Sequence, residues 1–356
     1  MTKLLRKETT INLANKAVSE YKIWFALLAL LVVFSIISPT FRSVENFQNL
    51  FNQQATLGIA TIGMATVILT GGIDLSVGAV MAFSGVYYSN LIRGYLFTYM
   101  PPFMKVYEEA GKISPIFPEP FSLCLAIAIA SLIGVVNGFA VSKFRAPAFV
   151  VTVSTMMLSR GIAYSMTSGQ PIFSVPEYLI NIGFRSFLGI PFLAIIWFLL
   201  VVVIWLFLKY SATGRNIYVV GGNIEAAKLT GINIAKTVIF SYWLSSILAS
   251  FSGILLVGRM ASADPRVAST TMLDAIAAAV IAGFSLQGGK GNLLNTIAGV
   301  LFIGLIINFL SILGIEFYTQ QVIKGLIIIL MVAIQTVSER GGLSMFRSLS
   351  IKRANP

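Results

Sequence analysis

The chain has 356 residues, 57% of them hydrophobic and only 11% charged, with a formal net charge of +12; a soluble globular domain carries roughly 25% charged residues. That balance excludes a soluble enzyme and describes a polytopic membrane protein. Histidine is absent and the single cysteine, Cys124, lies in an apolar run, which excludes His-based metal sites, Ser-His-Asp and Cys-His nucleophile pairs and any intrachain disulfide.

A helix needs about 20 apolar residues to cross a hydrocarbon core roughly 30 Å thick, so the chain is parsed in windows of that size. Met1–Lys22 is basic and polar, and the run IWFALLALLVVFSII after it lacks a small-residue cleavage pattern, so it reads as an uncleaved first span. Ten spans follow from the positions of charge, proline and glycine: Ile23–Ser38, Asn49–Leu69, Asp74–Ile92, Phe121–Ser142, Pro147–Met166, Ile190–Leu208, Lys236–Val257, Thr271–Leu286, Leu293–Leu313 and Gln320–Val337. The expected architecture is all-α, a helix bundle of about ten transmembrane helices.

Basic residues crowd the first 22 positions, Lys143 and Arg145, the segment Lys209–Lys236 and the carboxy-terminal tail; fewer fall in the alternate loops, at Arg42, Arg93, Lys105, Lys112, Arg185, Arg259 and Arg266. By the positive-inside bias both termini are cytoplasmic. The organisation expected is a cytoplasmic segment 1–22, a transmembrane domain 23–337 with a large cytoplasmic connection at 209–236, and a cytoplasmic tail 338–356. Because the basic residues flank apolar runs, they suit orientation and contact with anionic lipid, and nucleic acid is not expected as a partner.

Small residues recur every fourth position at Ala126, Ala130, Gly134 and Gly138, at Ser245, Ala249 and Gly253, and at Ala275, Ala279 and Gly283. Such stripes let helix backbones approach closely, and packing must supply helix association because lipid gives no hydrophobic drive for it. The loop Arg93–Pro120, rich in proline, contains a possible short helix, FMKVYEEAGKI, and is either a connector or an external contact.

One acid stands between two apolar runs, Asp74 in TGGIDLSVGAV, with Gly78 and Ala82 on the same helical face. A carboxylate at membrane depth costs about 2.5–3.5 kcal/mol on insertion scales. Asp74 therefore either caps the third span, with Ser76 behind it, or meets a solute on a polar route. Asn52, Gln53, Gln54, Asn137 and Asn308 could pass a neutral, hydroxyl-rich solute along, or bond between helices. Asn52, Gln53, Asn137 and Asp74 are the candidate pathway residues. Lys324 is expected to snorkel to the outer surface, and Arg160 to lie at a helix end.

The connection KYSATGRNIYVVGGNIEAAKLTGINIAK contains EAAKLTG, a short helix-forming run closed by glycine and suited to docking another protein. The run QGGKGN is not a phosphate loop, since Lys290 precedes Gly291 where Ser or Thr is needed, and no nucleotide site is found. No metal or cofactor is expected, and any ATPase is another chain.

Four stretches together, TGGIDLSVGAV (Thr70–Val80), GVVNGFAVSKFRAPAFVVT (Gly134–Thr152), GRNIYVVGGNIEAAKLTGI (Gly214–Ile232) and LDAIAAAVIAGFSLQGGKG (Leu273–Gly291), resemble the membrane subunits of ribose- and galactose-type sugar ABC importers. The resemblance runs from about Phe47 to Gln335. It implies a non-enzymatic permease subunit of the bacterial inner membrane, paired with a second permease subunit, identical or not. It also implies ATP-binding subunits, two copies or a fused dimer, and an extracytoplasmic sugar-binding protein. Glu225, Ala226, Ala227 and Gly231 match the family's EAA-x3-G coupling pattern and would dock into the ATPase. The rival reading is a carrier driven by an ion gradient, with Asp74 as its proton or cation site.

Overall fold

A computed structural model of the chain describes residues 22–93, 117–173 and 175–339, side chains of 334–339 excepted. The amino-terminal segment 1–21, the FMKVYEEAGKI run and most of the tail lie outside the described residues.

The first helix, α1, covers Lys22–Ile37. It is followed by α2 (Val44–Leu69), α3 (Val77–Ile92), α4 (Glu119–Lys143), α5 (Ala148–Thr167) and the short α6 (Glu177–Phe184). Strands β1 (Ser186–Phe187) and β2 (Ile190–Pro191) pair antiparallel, and α7 (Phe192–Tyr210), α8 (Ala212–Gly222) and α9 (Ile224–Leu229) come next. The chain continues with α10 (Ile234–Met260), α11 (Thr271–Ile281), α12 (Asn295–Ile312) and α13 (Phe317–Glu339). Each of the ten expected spans corresponds to one helix of this polytopic bundle. By length and hydropathy α4, α7, α10 and α12 could each cross a membrane, and α1, α3, α11 and part of α13 are shorter apolar helices.

The sequence explains many of the boundaries. Ser43 accepts the Asn46 N–H at the start of α2, and Asn233 does the same for Lys236 at the start of α10. Prolines 118, 147, 176 and 191 stand at the N-caps of α4, α5, α6 and α7, each in an extended conformation. Proline disfavours helix in the residue before it, which blocks backward growth. Boundaries depart from expectation by up to five residues: the second span starts at Val44, not Asn49, where Ser43 caps it. The third span starts at Val77, not Asp74, because residues 70–76 form a turn with its own side-chain bonding. The eighth stops at Ile281, because Gly283 takes φ +90°. A Cβ there would meet nothing within 4 Å, so Gly283 ends a helix and is not part of a packing stripe.

The middle of the bundle is α3, α10 and the later half of α2. Every residue of α3 is buried. The stripes on α4 and α10 are the packing seams: a Cβ on Gly134 would lie 2.3 Å from Tyr242 O, and one on Gly253 would lie 2.1 Å from Met81 O. Close approach of this kind substitutes for the hydrophobic drive that lipid removes. At the periphery the pattern inverts, with Ile36, Met157, Leu199 and Ile329 all turned outward. Outward apolar side chains suit hydrocarbon or a second subunit.

Candidate functional site

The predicted docking helix exists and is capped at both ends. Asn223 accepts the Ala226 N–H through Oδ1, which opens α9. At the other end Gly231 takes φ +75°, its N–H donates to Lys228 O at 3.0 Å, and the Ile232 N–H donates to Ala227 O at 3.1 Å. These two bonds are a Schellman closure, and glycine enters the left-handed region without the steric cost of a Cβ. Three of the four predicted coupling residues lie on or beside the exposed surface of this helix. Glu225 pairs with Lys228 one turn on, and both side chains are largely exposed. Leu229 is 91% exposed and Ile224 50%. Ala227 faces the other way: it is fully buried in a small cluster with Val67, Val220, Val238 and Tyr242, separate from the main core.

Beside this helix three glycine pairs from distant parts of the chain converge. They are Gly71–Gly72 after α2, Gly221–Gly222 at the end of α8, and Gly288–Gly289 in the loop between α11 and α12. The Gly289 N–H donates to Leu69 O at 2.9 Å. A Cβ on Gly221 would fall 1.7 Å from Leu69 O, and one on Gly288 would fall 2.8 Å from both Gly221 O and Gly71 N. Backbone therefore meets backbone, with no room for a side chain. The QGGKGN run, which matched no phosphate loop, is one wall of this junction. Tyr218 of α8 adds a bond from its hydroxyl to Gly291 O at 3.2 Å.

Adjacent to the junction lies Asp74, fully buried. Its Oδ1 accepts the Ser76 N–H at 3.0 Å and the Ser76 hydroxyl, and its Oδ2 accepts the Ser245 hydroxyl of α10 at 2.9 Å. The network extends: Asn137 Nδ2 of α4 donates to Ser76 Oγ at 3.0 Å, and Thr155 of α5 donates to Asn137 Oδ1 at 2.8 Å. Asp74 thus closes the turn ahead of α3 rather than heading the helix, whose N-cap position is Ser76. Hydrogen bonds to a charged group are worth about 1.5–3 kcal/mol each, so these donors recover part of the cost of burying the carboxylate. The structure brings Asp74 and Asn137 together through Ser76.

The other two candidate pathway residues lie apart from them. Asn52 Nδ2 donates to Gly183 O at 2.9 Å, tying α2 to α6, while Gln53 is exposed. Asn308 and Asn46 exchange side-chain bonds at 2.8 and 3.1 Å, an interhelical pair.

Two charged residues depart from expectation. Lys324 does not snorkel: its Nζ lies 2.9 Å from Asp274 Oδ1, with both side chains under one-sixth exposed, and it pins α13 to α11. Charges at membrane depth find one another when geometry allows. Arg160 is not at a helix end, since α5 continues to Thr167. Its Nη1 donates to Pro265 O at 2.6 Å and Val267 O at 2.7 Å, clamping the loop between α10 and α11. In that loop the Arg266 guanidinium, bonded to both carboxylate oxygens of Asp264, holds its carboxyl below the usual range.

Sequence reasoning missed Tyr242, which links the cluster under α9 to the turn ahead of Asp74, donating from its hydroxyl to Ile73 O at 3.3 Å. It also missed Ser245 as a partner of Asp74. The signal was present in the α10 stripe, where Tyr242, Ser245 and Ala249 share one helical face. Among the described residues no three His, Cys, Asp or Glu residues are grouped as a metal ion requires.

Comparison with known proteins agrees with this architecture. Residues 46–333 match the family model described as "Branched-chain amino acid transport system / permease component". The chain is 36% identical to the ribose import permease protein RbsC of Haemophilus influenzae, over 92% of this chain and 97% of that one. It is 31% identical to the galactose/methyl galactoside import permease protein MglC of the same organism, over 88% and 93%. To the probable ABC transporter permease protein YphD of Escherichia coli it is 33% identical, over 89% and 90%. No solved structure matches the chain. A polytopic helical bundle, matched to that family model along most of its length, belongs to the family of transport-system permease components.

Proposed function

We propose that this chain is the transmembrane subunit of an ATP-driven importer for a monosaccharide of the ribose or galactose type. It forms half of a translocation pathway in the bacterial inner membrane and hydrolyses nothing itself. Its relatives are named as ribose and galactose import permeases, which favours this reading over an ion-driven carrier. In the proposed orientation both termini and the α8–α9 segment face the cytoplasm, with 1–22 and 338–356 flanking the permease domain. A second permease subunit, identical or not, completes the pathway. ATP-binding subunits dock from inside, and an extracytoplasmic sugar-binding protein delivers solute from outside.

The observation that carries the reading is the two-faced character of α9. Glu225, Ile224 and Leu229 face out, while Ala227 is embedded in the bundle. A partner that binds two conformations with different affinity can shift the bundle between them through such an attachment. Asp74 and Asn137 act as a structural joint in this scheme. Gln53, the candidate pathway residue that the chain's own packing leaves accessible, is the one best placed to meet solute.

The test is copurification in mild detergent followed by reconstitution. The wild-type chain should carry an ATPase subunit with it and should transport sugar only with that subunit, ATP and a binding protein. Glu225→Lys or Leu229→Glu should fold and insert normally but lose the ATPase or the coupling. Uphill transport by the purified chain alone in sealed vesicles would overturn the proposal.

A further inference from the structure

We infer that Tyr242 is the positioning residue that makes the turn between α2 and α3 follow the coupling helix α9; the inference rests on the importer reading above. One side chain here belongs to two structural units. The ring of Tyr242 lies in the small cluster that embeds Ala227, whose other members are Val67, Val220 and Val238. Its hydroxyl leaves that cluster and donates to Ile73 O at 3.3 Å. It also occupies the space beside Gly72, where a Cβ would come within 2.6 Å of the Tyr242 hydroxyl oxygen.

The turn is attached to its surroundings at a small set of identifiable points. The N–H groups of Thr70, Gly71 and Gly72 all donate back to carbonyls of α2, so they tie the turn only to the helix it leaves. Outward connections run through Ile73 O, which takes the Tyr242 hydroxyl at 3.3 Å and the Thr152 hydroxyl of α5 at 3.5 Å, through the Asp74 carboxylate, which takes Ser245, and through the backbone contact of Gly71 with Gly288. From Asp74 the network reaches α4 through Ser76 and Asn137, and α5 through Thr155. A push on α9 moves its own sequence neighbour α10 through the chain. α10 packs directly on α4 at Gly134 and on α3 at Gly253, and α8 meets the end of α2 at Gly221; the Tyr242 hydroxyl adds the side-chain hydrogen bond that ties the α9 cluster to the turn itself.

The test uses the assembled complex of permease, ATPase and binding protein in liposomes, with ATP hydrolysis and sugar uptake measured on the same preparation. Tyr242→Phe keeps the ring in its cluster and removes the hydroxyl. Assembly, thermal stability and basal hydrolysis should match wild type, while sugar moved per ATP falls about fivefold, the worth of one neutral hydrogen bond. Stimulation of hydrolysis by the binding protein should fall with it. Gly72→Ala should harm assembly in the wild-type background and be partly tolerated with Tyr242→Phe, because the hydroxyl fills the space the methyl needs. An unchanged transport-to-hydrolysis ratio in assembled Tyr242→Phe complexes overturns the inference. So does a variant that loses stability yet keeps the ratio, since the role would then be structural alone. Failure of the wild-type chain to assemble with any ATPase overturns the reading of function, and this inference with it.

Discussion

The two ends of the bundle satisfy their buried acids by opposite means. Near α9, Asp74 is met by neutral donors, two serine hydroxyls and a backbone N–H, beside a junction built from bare backbone. Toward the other end, Asp274 is met by a cation, Lys324, and Arg160 and Arg266 secure the neighbouring loop through a carboxylate and carbonyls. A neutral donor set holds position by short directional bonds and loses its hold when geometry shifts slightly. An ion pair attracts over a longer range and tolerates sliding. The difference teaches that the end gripped by the proposed partner is built for registration, and the other for retention.

Substitutions can break this contrast, and the severest lies in the glycine junction. Gly221→Ala places a methyl against Leu69 O and should cost about 3 kcal/mol or more, read as lost yield and a lower Tm in detergent. Gly222→Ala, one residue on, meets only Gly289 Cα at 4.0 Å and should be close to neutral. Asp74→Leu strands three donors and should cost about 2–3 kcal/mol; Asp74→Asn keeps one carbonyl acceptor and should lose about half of that. Lys324→Met takes the cation from the largely buried Asp274 carboxylate and leaves it the Thr270 hydroxyl, a cost of about 2 kcal/mol. The double variant Lys324→Met/Asp274→Leu should recover most of that loss, since a buried pair can be exchanged for apolar groups. No such recovery is expected for Asp74→Leu/Ser245→Ala, because the Ser76 donors stay unmet, and thermal unfolding of the four variants sharpens the contrast directly. Least affected should be Glu225→Gln, which breaks an exposed pair with Lys228 worth under about 0.5 kcal/mol and should leave Tm unchanged.

Much of this was legible from residue order, for identifiable reasons. The spans follow from apolar length and from the charges, prolines and glycines that bound them, which act locally; the caps Ser43 and Asn233 start α2 and α10 five and two residues ahead of the expected Asn49 and Lys236. The α9 helix and its glycine closure also depend on neighbours in sequence. The start of α3 was misplaced because Asp-Leu-Ser has the chemistry of a cap, and only the turn geometry shows that the carboxylate bonds Ser76 ahead of the helix. Lys324 and Asp274 were visible as charges within spans, yet their pairing depends on how α13 lies against α11. The glycine junction is a meeting of three segments far apart in the chain, so each pair in isolation reads as an ordinary turn. The short α6 and the β1–β2 hairpin escaped because eight residues, or two, set no period that composition can register.

A contact made only of main chain has no rotamers to rearrange. Where leucines interdigitate, one surface can creep past another by small side-chain hops; where Gly71, Gly221 and Gly288 abut, nothing can yield by degrees. The three segments either stay in step or come apart, so this joint behaves as a clutch that is engaged or released, without slip between.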